Sequence, residues 1–255
     1  MNKMDTCVVF LCNKAYFMRF VKTCELLITY GKYKGPICLV IGDDLLNDTL
    51  LKHEIILKHN IIIKHFPDII FPAEVTQTLE NISNPNVDKR NITKSFQWHK
   101  LYLFHSWFKQ YRYIFYMDCG ITILSDIAPI LKEKTENKLL AHSDAYPTYE
   151  WKLRGQFDAT NSDYFTDIAA KFNLDRDYFQ TTVMLFDTNI IKDNTWDDLY
   201  KLAVAYPISR TNEQAIMCLY FFKEWQQMTI RNDDTYFYDY MSRNPSNKYI
   251  MLKWF

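Results

Sequence analysis

Tyr113-Ile114-Phe115-Tyr116-Met117-Asp118-Cys119-Gly120-Ile121-Thr122-Ile123-Leu124 carries a single acidic residue in an almost wholly apolar run. A carboxylate in such a run is costly to bury unless a cation or a hydrogen-bond donor meets it. If the run is a buried parallel strand, Asp118 emerges near its carboxyl end, where open α/β sheets bind their ligands. By itself Asp118 suits a turn cap with Gly120 equally well. The flanking sequence decides between the two.

Immediately upstream, residues 95–110 predict a helix, with Leu103, Phe104, Trp107, Phe108 and Tyr111 at the i, i+3, i+4 positions of one face. Lys100 extends that stripe by one turn, and a lysine facing a sheet must either snorkel outward or meet an anion. Further upstream, apolar runs at 7–12, 36–41 and 60–66 alternate with helical patterns over 15–30 and 45–58. Strands spaced by helices imply βαβ crossovers, hence an α/β chain with a mostly parallel central sheet. Residues 67–90, with Pro67, Pro72 and Pro85, read as a long loop of the kind that forms lids.

Downstream, Ser125-Asp126 caps a short helix through Leu131, and residues 138–142 form a strand leading to Asp144. Residues 162–172 predict a helix with an apolar face of Phe165, Ile168, Ala169 and Phe172. A polar lead-in, Phe179-Gln180-Thr181-Thr182, opens the strand ending at Asp187. Thr211-Asn212-Glu213-Gln214 then begins a helix that buries Ala215, Ile216, Leu219 and Tyr220. Neither a repeat nor a linker divides the chain, and a single domain over 1–255 is expected.

Composition narrows the class. Thirty basic and thirty acidic residues cancel, so no global field points to nucleic acid or an anionic membrane. The six cysteines include no Cys-x-x-Cys pair, which suits a reducing compartment. The first apolar run, 7–12, is too short for a signal-peptide core or a membrane span, so a soluble cytoplasmic protein is expected. Asn-x-Ser/Thr triplets begin at Asn47, Asn81 and Asn91 and carry little weight in that setting. Five unclustered glycines exclude the Gly-x-Gly-x-x-Gly dinucleotide turn and the P-loop. Abundant Asn, Ile, Lys and Tyr suggest an AT-rich genome, that of a large DNA virus or a low-GC bacterium.

Taken in order, Trp98-His99-Lys100-Leu101, then Tyr116-Met117-Asp118-Cys119-Gly120 and Ile121-Thr122-Ile123-Leu124-Ser125-Asp126, resemble the core of the glycogenin-like glycosyltransferases of the GT-A fold. That family has a Lys-Leu helix before a strand ending in Asp-x-Asp, then an apolar run and Asn/Asp-Ile. Phe179-Gln180-Thr181-Thr182-Val183 is similar to its Phe-Asn-Ser-Gly-Val strand, and Glu213-Gln214 to its Asp-Gln helix start. Asn13 and Tyr16 resemble its Asn-x-x-Tyr nucleotide contact.

The resemblance implies a single GT-A (Rossmann-like) domain that transfers a sugar, with retention, from a UDP-sugar to a glycan or protein-linked acceptor. Lys100, Gln180, Glu213 and Gln214 would be catalytic. Asn13, Tyr16, Asp118, Gly120, Asp144 and Lys253 would line the donor site, and Asp118 would ligate Mn²⁺ or Mg²⁺. Two departures leave metal dependence open. Gly120 stands where the family has its second Asp, and the family's C-terminal His-x-x-Gly-x-x-Lys-Pro-Trp is reduced to Lys253-Trp254, with no histidine after His142.

Most of these residues also have plainer readings. Thr211-x-x-Gln214 forms a capping box, and Glu213 suits a first helical turn. Gln180 and Asp144 suit turns, Lys253 suits solvent, and Tyr146, Tyr149 and Trp151 suit packing as well as sugar stacking. Asp118-x-x-x-Thr122 is also similar to the Asp-x-Asp-x-Thr of haloacid-dehalogenase-type phosphatases, though three strand–helix units precede it here. A third reading is a GT-A-like module that binds a glycan or partner without turnover.

Overall fold

A computed structural model describes residues 4–82, 96–143, 145–146, 148, 150–228, 232–233, 239–241 and 249–253. The apolar runs form the predicted strands: β1 (Met4–Leu11), β2 (Ile37–Ile41), β3 (Ile62–His65) and β4 (Tyr111–Met117). β5 (Ile121–Ile123), β6 (Leu139–Ala141), β7 (Val183–Asp187) and β8 (Trp225–Gln227) follow. Seven of these make one sheet of order β3-β2-β1-β4-β7-β6-β8, in which only β7 runs against the rest.

The continuous apolar runs are explained by burial on both faces. Along β1, Cys7, Val9 and Leu11 enter one core while Val8 and Phe10 enter the other, and β4 splits Ile114 and Tyr116 from Phe115 and Met117 in the same way. The period of two thus holds although neither face is polar. One side is covered by α1 (Phe17–Thr29), which buries Phe17, Phe20, Val21, Cys24 and Leu27, and by α2 (Glu54–Lys58). Each such Phe or Leu contributes about 1.5–3 kcal/mol relative to exposure. The other side is covered by 3₁₀ turns over Trp98–Phe104 and Ser106–Gln110, and by the helices Thr195–Ala205 and Glu213–Tyr220.

A second sheet, entirely antiparallel, joins β5 to β11 (Tyr249–Lys253), β10 (Asp239–Met241) and β9 (Asn232–Asp233). It shares the α1-side core through Ile121, Ile123, Ile250 and Met251. All six cysteines are buried and unbridged. No helix among the described residues is long and apolar enough to cross a membrane.

Several expectations need correction. Residues 95–110 do not form one amphipathic helix: His105 is extended (ψ 144°), its Nδ1 accepts the Trp107 N–H, and Tyr111 already belongs to β4. All of Trp98–Phe104 is buried, so a periodic face had nothing to distinguish. Residues 45–58 likewise break into a 3₁₀ turn, Thr49–Lys52, and α2, because His53 is extended between them. The expected loop 67–90 contains α3 (Ala73–Glu80), and residues 83–90 lie outside the described ones.

After α4 (Ala128–Leu131), whose N-cap is Ile127 rather than Ser125 or Asp126 although Asp126 Oδ1 accepts the Ala128 N–H (2.8 Å), comes α5 (Ser162–Lys171), in which Ala169 is exposed and Ile168 is the buried residue. α6 (Thr195–Ala205) and α7 (Glu213–Tyr220) complete the fold. The Thr211–Gln214 capping box does not form. Asn212 is the N-cap and makes no side-chain cap bond, while the Gln214 side chain turns to Thr181 and Gln156.

Candidate active site

The strand order places a topological switch point between β1 and β4, since the chain leaves β1 toward β2 and returns on the other side. In α/β sheets the crevice at the carboxyl ends of such strands is the ligand site. Here a cavity of about 670 Å³ opens at that place. Leu11, Cys12 and Asn13 from the end of β1 and Asp118, Cys119 and Gly120 from the end of β4 line it.

Backbone bonds fix Asp118. Its N–H donates to the Thr182 carbonyl (2.9 Å), and the Cys119 thiol donates to the Leu11 carbonyl (3.4 Å). Because β7 is antiparallel, Gln180–Thr182 at its start reach the same edge of the sheet as the end of β4. The Gln180 N–H, bound to the His142 carbonyl at 2.7 Å, ties this segment to β6 as well.

Lys100 comes from the opposite layer and supplies the cation that Asp118 requires. Its ammonium lies 3.0 Å from Asp118 Oδ1, 3.1 Å from Glu213 Oε1 and 3.3 Å from Thr181 Oγ1. The Tyr116 hydroxyl donates to Asp118 Oδ1 (2.7 Å) and the Thr181 hydroxyl to Glu213 Oε1 (2.9 Å). Gln214 accepts the Thr181 N–H, so Gln214 braces the cluster. Of the two alternatives the sequence left open for Lys100, snorkelling outward or meeting an anion, it takes the second and meets two.

Burial opposes the Lys100 charge, but the facing carboxylates of Asp118 and Glu213 outweigh it and hold the pKa above its ordinary value. Glu213 has only a share of that one ammonium. Burial therefore dominates and raises the Glu213 pKa, against the opposing pull of Lys100 and Thr181. Two buried acceptors, Glu213 Oε2 and Gln180 Oε1, lack a hydrogen-bond partner among the described residues. Such acceptors are costly unless a ligand donates to them.

Of the residues predicted from sequence, Lys100, Asp118, Glu213 and Gln214 are joined in one cluster, Gln180 directly precedes its member Thr181, and Asn13, Tyr16 and Gly120 line the cavity together with Lys100 and Asp118. Asn13 also has a structural duty, accepting the Tyr16 N–H at 3.2 Å. Lys253 pairs through its backbone with Ile121, and its side chain lies outside the described residues, as does Asp144. Sequence reasoning missed Thr181, Phe96 and Gln97. It also missed a row on α1 (Arg19, Lys22, Thr23, Leu26) that faces the cavity. Its signal was the spacing i, i+3, i+4 of Arg19, Lys22 and Thr23, of which the first two are exposed while Thr23 is buried.

Divalent cations of the Mg²⁺ and Mn²⁺ type take several oxygen ligands. Asp118 Oδ1 already receives Lys100 and Tyr116, and Gly120 supplies no side chain. The Gly120 N–H donates to Thr23 Oγ1 (3.0 Å), and its φ of +98° is one that L side chains rarely adopt. No group of three His, Cys, Asp or Glu suited to a metal occurs among the described residues. These residues do not compose the expected ligand set.

No protein-family model matches the sequence, and no curated protein matches it. Solved structures do. The bifunctional glycosyltransferase WbbM is similar with a TM-score of 0.58 and 16% identity, over 90% of this chain and 39% of WbbM. The galactosyltransferase LgtC, in complex with donor and acceptor sugar analogues, gives 0.55 and 11%, over 87% of this chain and 72% of LgtC. GlyE of Streptococcus pneumoniae TIGR4 gives 0.54 and 12%, over 88% of this chain and 45% of GlyE. At such identities the likeness establishes the fold, which is of the GT-A type. The chain spans under half the length of the WbbM and GlyE chains.

Proposed function

We propose that the chain is a glycosyltransferase moving a sugar from a nucleotide-sugar donor, a UDP-sugar, to a hydroxyl of a glycan or protein-linked acceptor. The observation that carries this reading is the Lys100–Asp118–Glu213 cluster, whose Lys100 and Asp118 line the switch-point cavity, together with the buried, unpartnered acceptors of Glu213 and Gln180. Sugar hydroxyls are the donors such acceptors call for. In the transfer, the bond from the sugar's anomeric carbon to the β-phosphate breaks and its electron pair leaves with the nucleoside diphosphate. The acceptor oxygen forms the new bond, and its proton passes to the departing phosphate.

In this reading Glu213 and Gln180 orient the sugar, and Lys100 holds Glu213 and Asp118 in register for it. Preorganised groups of this kind lower the barrier without reorganising during reaction. Retention of configuration follows from the family resemblance. The test is UDP release from UDP-sugars in the presence of glycan acceptors. Glu213→Ala and Gln180→Ala are each expected to cut turnover by roughly 100-fold. Thermal stabilisation by UDP would accompany it, since a ligand of the native state raises stability. Phosphate release from simple phosphomonoesters would instead favour the phosphatase reading.

A second reading, a domain that binds a glycan or partner without turnover, is favoured by the glycine at position 120 in place of a second carboxylate. Stabilisation by glycan without UDP release would select it.

A further inference from the structure

On the nucleotide-sugar reading above, the charge arithmetic of the cavity is incomplete. The donor brings a diphosphate, yet the buried ammonium of Lys100 is already engaged by Asp118 and Glu213. Positive charge for the departing phosphates has to come from elsewhere. We propose that Arg19 and Lys22 of α1 bind the donor diphosphate and take over the work of a divalent cation, so that donor binding needs no metal.

Three observations converge on Arg19, and the first of them holds for Lys22 as well. Both side chains line the cavity, both residues are exposed, and neither has an acidic partner among the described residues. The Arg19 guanidinium is seated 4.8 Å from the centre of the Tyr16 ring, a cation–π contact that holds it at the cavity wall. And Arg19 stands beside Gly120: a Cβ added at Gly120 would meet Arg19 Cδ at 3.9 Å as its nearest neighbour. The direction in which a second carboxylate would project, toward a metal, is thus met by a cationic side chain.

Thr23, one helical turn beyond Arg19, accepts the Gly120 N–H and locks the loop against this face of α1. Guanidinium forks bind paired phosphate oxygens, and a lysine adds a point charge. Replacing a carboxylate–metal pair by two cations conserves the sign of the field that the phosphates meet.

The experiment is calorimetric titration of UDP and of GDP into the full chain, in excess EDTA and in excess Mn²⁺. UDP is expected to bind in EDTA with an affinity within about twofold of that in Mn²⁺. Arg19→Glu/Lys22→Glu is expected to weaken UDP by tenfold or more, since it replaces charge-assisted bonds to the phosphates with repulsion. The same variant should leave uridine, which lacks phosphate, unchanged. Both residues are exposed, and an unaltered melting temperature certifies the fold.

Binding that appears only with Mn²⁺ overturns the metal-free assignment while leaving the nucleotide-sugar reading intact. UDP binding in EDTA that the double variant does not weaken overturns the choice of residues. Failure of both nucleotides under both conditions removes the nucleotide-sugar reading, and this inference with it.

Discussion

The two walls of the cavity hold charge in opposite ways. On the β4 side, Lys100, Asp118 and Glu213 are interlocked within 3.0–3.1 Å, and Lys100 and Glu213 are almost fully buried. On the α1 side, Arg19 and Lys22 are exposed and have no ion-pair partner among the described residues. The first wall is rigid because each group leaves another uncompensated if it is removed. The second is inexpensive to change and poised to meet a ligand. A site needs both kinds, one to hold geometry and one with charge left over.

The contrast is broken most severely at Lys100. Lys100→Met leaves two carboxylates facing each other in a buried site, and removing one partner of a buried pair costs about 3–5 kcal/mol. Urea denaturation should show that loss. Arg19→Ala and Lys22→Ala should stay within about 0.5 kcal/mol of wild type, as surface substitutions do. Equal losses on the two walls would erase the distinction.

Gly120, the hinge between the walls, comes next. At φ +98° an added side chain is strained although its nearest neighbour, Arg19 Cδ at 3.9 Å, is at ordinary contact distance. Gly120→Ala should therefore cost roughly 1–3 kcal/mol, read as a lowered urea midpoint.

The smallest effect is a slope. Burial raises the Glu213 pKa from its ordinary 4.5, against Lys100 and Thr181. The unfolded chain thus gives up this proton at lower pH than the native state does. Native stability falls as pH rises from 4.5 toward the raised native value, and is flat above it. Glu213→Gln should lack that slope, so the difference in urea midpoints between it and wild type should drift with pH across the window. Parallel curves would show that Glu213 does not titrate as its burial demands. Lys100 acts at the other end: its raised pKa contributes stability below 10.5 that is lost as pH climbs past that value.

What was legible in the sequence follows the same division. Asp118 announced itself because an acid in an apolar strand has to be answered, and Gln180 and Glu213 stood at the starts of well-marked elements. The first four strands, β6 and β7 were readable from their continuous apolar runs, whereas β8, only partly buried, was not predicted. The segment holding Lys100 was misread as one helix because every residue of Trp98–Phe104 is buried, which removes the periodic contrast that identifies a helix.

The α1 wall was hidden for a different reason. Arg19, Lys22 and Thr23 look like any solvated stripe until the loop carrying Gly120 arrives 97 residues later in the chain to lie against them. Likewise Thr211 and Gln214 matched a capping box by spacing, but the tertiary partners Thr181 and Gln156 claimed the glutamine.

The pairing of β5 with β11 has a consequence for how the molecule is assembled. The Ser125 hydroxyl donates to the Tyr249 carbonyl across 124 residues of chain, and Lys253 aligns with Ile121 just beyond Gly120. Contacts of that separation close slowly, and synthesis releases the N-terminal portion first. On the ribosome all seven strands of the main sheet emerge before β11, so a nascent chain acquires its scaffold while the floor beside Gly120 still lacks its neighbour. The edge of the cavity beside Gly120 is then completed after the main sheet.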